Sequence, residues 1–404
     1  MRNRWLIALA AIGLHISIGS VYAWSVLTRP IMVDMGFTLS QTTWTFSLAI
    51  LMLGLSAGFL GSFAEKIGPK KSGLLAMLFW VAGLFGTAYA LSIHSLTLLY
   101  LFYGIIGGIG LGIGYITPVS TLVKYFPNRP GFATGLAIMG FGFASLIAGP
   151  LMQYLVAHVG LVNNFIILGI TYLIVMSASS LYLKAPTPKE PTRSNQDKST
   201  MYVHNHGMLA NDAMKTWQFS ALWWVFFVNI TCGIGLLSLA SPMAQETIGM
   251  TPAAAASLVG IIGIFNGGGR IAWSTISDFL GRAQTYILFF IMEIIAFYLL
   301  SQTNSALTFQ ILILLIITCY GGGFSCMPAY LADLYGIRQL STTIHGRILT
   351  AWGLAGIVGP MIVSYFHEAG YGYSMALVCF AVLFILNTII AIVLKMYGKK
   401  NLRT

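Results

Sequence analysis

Along this chain, polar positions are confined to short interruptions between long apolar runs. About twelve runs reach the roughly 20 residues a helix needs to cross a hydrocarbon layer, six on each side of a polar centre. A transmembrane β-barrel would show short alternating segments instead, and the sequence has none. The pattern predicts an all-α integral membrane fold of twelve transmembrane helices in two six-helix bundles. The first run, "MRNRWLIALAAIGLHISIGSVYAWSVL", starts basic as a secretory signal does. Its apolar part is too long for a signal core and no small-residue cleavage site follows, so it is expected to be the first span. The centre, "KAPTPKEPTRSNQDKSTMYVHNHGMLANDAMK", is rich in Pro, Ser and charge and reads as a linker. It divides the chain into an N-terminal bundle (1–183), a linker (184–219) and a C-terminal bundle (220–404).

Composition strengthens this reading. Charged residues are 8% of the chain, against about a quarter in soluble domains. Apolar residues are 57% and the mean hydropathy is +0.83, too much apolar surface for so few charges to keep in water. The net charge of +11 is distributed as an orientation signal. If the runs alternate in direction, every one of the 21 Lys and Arg except Arg29 and Arg270 falls on one side. The positive-inside rule then predicts cytoplasmic termini and linker, in the inner (cytoplasmic) membrane, with no need for a nucleic-acid partner. Cys232, Cys319, Cys326 and Cys379 lie in apolar runs without paired spacing and are expected to pack. The "HNH" at 204–206 reads as solvated, and no metal or other cofactor is expected.

The halves repeat. "GSFAEKIGPKK" after the second run is answered by "STISDFLGR" after the eighth, with Glu65 and Gly68 offset by 213 residues from Asp278 and Gly281. Pro118 and Pro328, and Gly149-Pro150 and Gly359-Pro360, share an offset of 210. Such duplication is the arrangement of many secondary transporters. "GSFAEKIGPKK" resembles the signature between the second and third helices of the major facilitator superfamily, with Glu65 and Lys66 where that family usually has Asp and Arg. Within it, "GSVYAWSVL", "GYITPVSTLVKYFPNRPGFATGLAIMGFG" and "ILTAWGLAGIVGP" are similar to the oxalate/formate antiporters and the monocarboxylate transporters. The resemblance implies the superfamily fold and transport by alternating access.

"IFNGGGRIAWSTISDFLGR" places Arg270 eight residues before Asp278, about 12 Å inside a ~30 Å core. An arginine facing lipid at that depth costs about 3 to 17 kcal/mol. Gly263, Asn266, Gly267, Arg270, Ser274 and Ser277 recur at helical spacing, so this small, polar face is expected to line an interior cavity. Two readings of Arg270 stand. Its fork can bind a carboxylate with two parallel hydrogen bonds, or it can pair with Glu293 or Asp333. The monocarboxylate-transporter resemblance implies an aspartate one turn earlier that takes part in proton coupling; Asn266 stands there and cannot titrate, which favours anion exchange. The oxalate/formate antiporter resemblance implies a lysine where Trp352 stands; one cation favours a singly charged acid such as lactate, pyruvate or formate, and Trp352 either shapes the pocket or packs.

Tyr22 and Tyr115 can offer phenol groups to a substrate, or serve as core. His15 and His345 read as structural, with a proton shuttle the other possibility at His15. "GIIGGIGLGIG" lacks the dinucleotide pattern; Gly104, Gly108 and Gly112 predict a close helix contact. Gly61, Glu65, Lys66, Gly68 and Lys70, with Asp278, Gly281 and Arg282, are expected to pair across the halves and hold the cytoplasmic side shut in one state. No nucleophile–base spacing appears in the runs, so no catalytic residue and no enzyme is expected. The expected function is a monomeric carrier of a small organic anion in the lipid bilayer, by exchange. Proton symport and a non-transporting acid sensor are the alternatives.

Overall fold

The computed structural model describes residues 3–126, 130–186, 208–336 and 344–397. The 204–206 motif, most of the central segment, and Arg2, Arg129, Lys189, Arg193, Lys198, Arg338, Lys399, Lys400 and Arg403 lie outside the described residues.

Among the described residues ten helical stretches are long and apolar enough to span a membrane. Two of them, Gly135–Tyr182 and His345–Tyr397, each hold two helices. Gly160 (φ 82°) breaks the first, and Gly370 (φ 85°) with Gly372 (φ 63°) breaks the second. These left-handed backbone values suit glycine, which has no Cβ to clash. The count is therefore twelve. Helix 1 runs through Arg4–Gly19, the 3₁₀ turn Ser20–Ala23 and Ser25–Met35. Helix 2 is Leu39–Ile67 and helix 3 is Pro69–Ser92. Helix 4 joins Leu96–Leu99, a π-helical stretch Tyr100–Gly107 and Gly108–Tyr125. Helices 5 and 6 share Pro130–Tyr182. Helix 7 is Trp217–Ser238 with the continuation Ala240–Ile248. Helix 8 is Pro252–Leu280, helix 9 Arg282–Gln302 and helix 10 Ala306–Tyr335. Helix 11 is His345–Phe366 and helix 12 is Gly372–Tyr397.

The sequence repeat becomes a structural one. Helices 2 and 8 are both 29 residues long, and each starts at a threonine cap: Thr38 accepts from Gln41 N and Thr251 from Ala254 N. These caps satisfy amides that the first turn leaves free. Each helix ends at a glycine of positive φ, Gly68 (80°) and Gly281 (91°), which turns the chain into the next helix. In both halves the second helix packs against the fourth: helix 2 on 4, and helix 8 on 10. Gly104, Gly108 and Gly112 make the first contact possible, since a Cβ at these positions would meet Leu48, Ala49 and Ser56 of helix 2 at 2.7, 2.7 and 2.0 Å.

Two helix pairs make the most extensive contacts between the halves, 2 with 11 and 5 with 8. Both rest on glycine. A Cβ on Gly54 would lie 2.4 Å from Gly353 N, and one on Gly142 would lie 2.9 Å from Gly267 Cα. Apolar side chains such as Phe59, Ile174 and Phe279 remain more than 60% exposed on the outside, as a surface solvated by lipid requires.

Candidate functional site

Helix 8 presents its small face to helices 5 and 10. Gly263 and Gly267 pack on helix 5, and Gly269 packs on Thr318 of helix 10. Phe265 and Ile271, on the other face, are exposed. This close approach carries Arg270 into the centre of the molecule, where it is fully buried. Its Nε donates to Asn266 Oδ1 at 3.1 Å, and Nη1 donates to the Ile138 carbonyl of helix 5 at 3.4 Å. Its Cζ sits 5.1 Å from the centre of the Phe324 ring, a cation–π contact worth about 0.5 to 2 kcal/mol.

No carboxylate forms an ion pair with Arg270 among the described residues. Of the two acids that could have neutralised it, Glu293 accepts from Asn229 Nδ2 at 3.4 Å, and Asp333 lies 3.7 Å from Arg282. The guanidinium therefore stands without a resident counter-charge.

Six aromatic rings from both halves close around it. Tyr22 of helix 1 meets Phe141 of helix 5 edge-on at 4.9 Å, and Tyr115 of helix 4 meets Phe141 at 5.6 Å and Trp352 of helix 11 at 5.1 Å. From helix 10, Phe324 packs on Trp352 at 4.8 Å and on Tyr320 at 5.4 Å. Tyr22, Tyr115 and Tyr320 all lie within reach of the Arg270 charge. The structure thus brings together Asn266, Arg270, Tyr22, Tyr115 and Trp352. Phe141, Tyr320, Phe324 and the Ile138 carbonyl escape sequence reasoning; the aromatics that bracket the glycine run in "CYGGGFS" are the only signal for two of them.

Hydrogen bonding at the site is lopsided. Arg270 Nη2, Asn266 Nδ2, Tyr115 Oη and Trp352 Nε1 are buried without an acceptor among the described residues. Each such group carries a penalty of about 1 to 3 kcal/mol unless something satisfies it. Tyr22 differs from expectation: its hydroxyl shares a 2.8 Å hydrogen bond with Tyr320, which ties helix 1 to helix 10 across the halves.

The expected open cavity is also absent here. Every one of these five side chains is no more than 2% exposed, because the Gly142–Gly267 approach draws helices 5 and 8 together beside the arginine. A small cleft, with room for about 10 Å³ of water centres, lies nearer the face that carries both termini, lined by Ala57, Tyr115, Ser120, His345 and Gly346. Tyr115 borders both this cleft and the aromatic enclosure.

On that same face, open in this state, the duplicated acids pair within their own halves. Lys124 Nζ of helix 4 donates to Glu65 at 2.7 Å, and Arg282 holds Asp278 at 2.5 Å and Asp333 at 3.7 Å. Lys124 reaches Glu65 because helix 4 packs on helix 2, and Arg282 reaches Asp278 because it follows four residues later across the Gly281 turn. Lys66 and Lys70 are exposed, while Gly61 is buried in helix 2. Contacts between the halves lie on the opposite face. Arg29 donates to Gln245 at 3.0 Å and lies 3.9 Å from Glu246, which also meets His367 at 2.7 Å; the Ser40 amide donates to Glu368 at 2.7 Å. The molecule is latched on the face away from its termini and cleft on the other.

Comparison with known proteins agrees with the fold. The Major Facilitator Superfamily model matches residues 7–292 and 222–402. The chain is 28% identical over 358 residues to the uncharacterized MFS-type transporter YhjX of Escherichia coli, covering 88% of this chain and 86% of that one. It is 26% identical over 363 residues to the oxalate:formate antiporter of Oxalobacter formigenes, covering 88% and 83%. A bacterial homolog of the human lysosomal transporter Spinster, solved inward-facing and unoccupied, superposes with a TM-score of 0.75 over 97% of both chains at 14% identity, which shows the shared fold. Twelve helices, a duplicated half and a family match along nearly the whole length lead to one conclusion: this chain belongs to the major facilitator superfamily, as a multi-pass membrane transporter and not an enzyme.

Proposed function

We propose that this protein carries a small monocarboxylate, such as formate, pyruvate or lactate, bound at Arg270, by alternating access between its two halves. One observation carries the reading: a fully buried guanidinium with no carboxylate partner among the described residues, ringed by donors on Asn266, Tyr115 and Trp352 that have no acceptor among them either. A carboxylate supplies both the missing charge and the missing acceptors. One cation matches one negative charge; a dianion would keep a buried net charge, which is costly. Trp352 supports the same preference by filling with an indole the position where the antiporter resemblance implies a second cation.

The carrier works by exchange, since Asn266 offers no titratable group in helix 8 and one anion can return as another leaves. The closed ring at Arg270 then corresponds to an occluded state, and the Arg29–Gln245–Glu246 contacts to a shut outer gate. Glu65, Lys66, Lys70, Asp278 and Arg282 would exchange their present partners to form the opposite gate when the terminus side closes. The basic residues orient that side to the cytoplasm of a bacterial-type inner membrane, and the carrier acts as a monomer. Proteoliposomes test the reading: labelled formate enters only vesicles preloaded with an unlabelled small acid. Uptake without internal acid eliminates exchange, and no flux under any loading eliminates transport.

A further inference from the structure

Helices 2 and 11 touch backbone to backbone at mid-depth and part toward the face that carries the termini. A Cβ on Gly54 would lie 2.4 Å from Gly353 N, one on Gly58 3.2 Å from the Gly346 carbonyl oxygen, and one on Gly346 no closer than 3.7 Å to helix 2. The small cleft occupies the opening this leaves, with Ala57 and Gly346 on its two flanks and Tyr115 and Ser120 of helix 4 behind. Of the six rings that close around Arg270, only Tyr115 also lines this cleft.

The hold on this ring is uneven. Its backbone is pinned inside helix 4, and its carbonyl lies 3.0 Å from His15 Nε2. Its tip is not pinned: Oη is buried without a hydrogen-bond partner among the described residues. Ring contacts alone keep it in place, edge-on to Phe141 at 5.6 Å and Trp352 at 5.1 Å and stacked on His15 at 5.5 Å. A side chain fixed at its backbone and loose at its tip moves by hopping between the staggered χ1 positions that a helix allows. The cleft takes a water and not a phenol ring, so such a hop needs helices 2 and 11 to part further at Gly58 and Gly346. Their contact is already loosest there.

We propose that the Tyr115 ring is the gate between the anion site and the terminus side, swinging out between helices 2 and 11 to let an anion reach or leave Arg270 and swinging back to enclose it. This rests on the monocarboxylate reading above and adds to it the path the anion takes. The other boundary of the enclosure is different in kind. The Tyr22–Tyr320 bond joins the two halves, so it parts only when the halves do. Tyr115 can turn while the Arg29–Gln245 contact between the halves stays in place. The enclosure therefore opens by a side-chain rotation on one side and by rocking of the halves on the other. A gate of this kind obstructs arrival and departure equally. It sets both rates and leaves the affinity to the groups that bind.

Stopped-flow binding of formate to the purified carrier, read by tryptophan fluorescence, separates gate from ligand. Tyr115→Phe removes the hydroxyl and keeps the ring, whereas Tyr115→Ala removes both. If the open position is a minor state of about 0.1 to 10%, Tyr115→Ala speeds association and dissociation together about ten- to a thousandfold over Tyr115→Phe, with their ratio kept. Ser120→Leu fills the cleft and is expected to slow both rates by one factor; it decides if Tyr115→Ala does not fold. Equal rates in Tyr115→Ala and Tyr115→Phe, a change in dissociation alone, or unaltered rates in Ser120→Leu overturn the gate. A second readout needs no acid: methyl methanethiosulfonate labelling of Asn266→Cys, expected to be faster with Tyr115→Ala and slower with Ser120→Leu. Absence of binding by formate, pyruvate and lactate alike overturns the monocarboxylate reading, and the labelling rates then decide the gate by themselves, equal rates overturning it.

Discussion

Replacing Arg270 with lysine keeps the charge and removes the fork. In the structure the guanidinium spends Nε on Asn266 and Nη1 on the Ile138 carbonyl, leaving Nη2 without an acceptor. A carboxylate that docks here takes one bond from Nη2 and a second by displacing the long 3.4 Å contact of Nη1. Lysine can offer a point charge but not two parallel donors. The loss is one charge-assisted hydrogen bond, about 1.5 to 3 kcal/mol, which at about 1.4 kcal/mol per decade weakens formate binding roughly ten- to a hundredfold. Thermal-shift titration with formate reads the affinity, and exchange in proteoliposomes reads the transport. Arg270→Met completes the test. It removes a buried charge that no carboxylate neutralises among the described residues, and holding such a charge away from water is costly. The Met variant is thus expected to melt no lower than wild type while exchanging nothing. Wild-type formate affinity in Arg270→Lys, or collapse of the fold in Arg270→Met, would refute the reasoning, the first by removing recognition and the second by making the arginine structural.

Other parts of the structure give further expectations. Trp352→Lys places a second cation in the enclosure and should move preference from formate toward oxalate, measured by competition for labelled formate; unchanged selectivity would place Trp352 in packing alone. Gly54→Ala drives a methyl to 2.4 Å from the Gly353 amide nitrogen, an overpacking cost of about 1 to 3 kcal/mol. A lower melting temperature and slower exchange are expected, and an unaffected carrier would mean the helix 2–11 contact yields easily. Glu246→Gln weakens the exposed contacts to Arg29 and His367, each worth about 0.2 to 1 kcal/mol. A cysteine placed at the buried Ser241 should then react up to several-fold faster with an impermeant maleimide from the outer side, and equal rates would show that the latch does not hold the gate.

Much of this molecule was legible before any coordinates. The length and apolarity of the runs predicted the twelve helices, because in a bilayer a run of about 20 apolar residues has no other stable way to satisfy its backbone. The duplicated acids and glycines carried over as matched helix ends, Gly68 with Gly281, since a local turn depends on local backbone freedom. Arg270 announced itself because an intramembrane charge is expensive wherever it sits. What the sequence by itself determined was therefore local or set by the solvent: helix count, the repeat and the charged position at mid-depth.

The tertiary structure decided who meets whom. Only packing showed that Glu293 and Asp333 leave Arg270 unpaired, that Phe141, Tyr320 and Phe324 join its enclosure, and that Glu65 pairs with Lys124 inside its own half. Only packing placed both nitrogens of His15 against carbonyls of two other helices. The Tyr22–Tyr320 bond joins residues 298 positions apart, and the Ser40–Glu368 bond residues 328 apart. Helical periodicity says which face of a helix is inward, but which neighbour fills that face depends on where glycines such as Gly142 and Gly267 let two backbones touch.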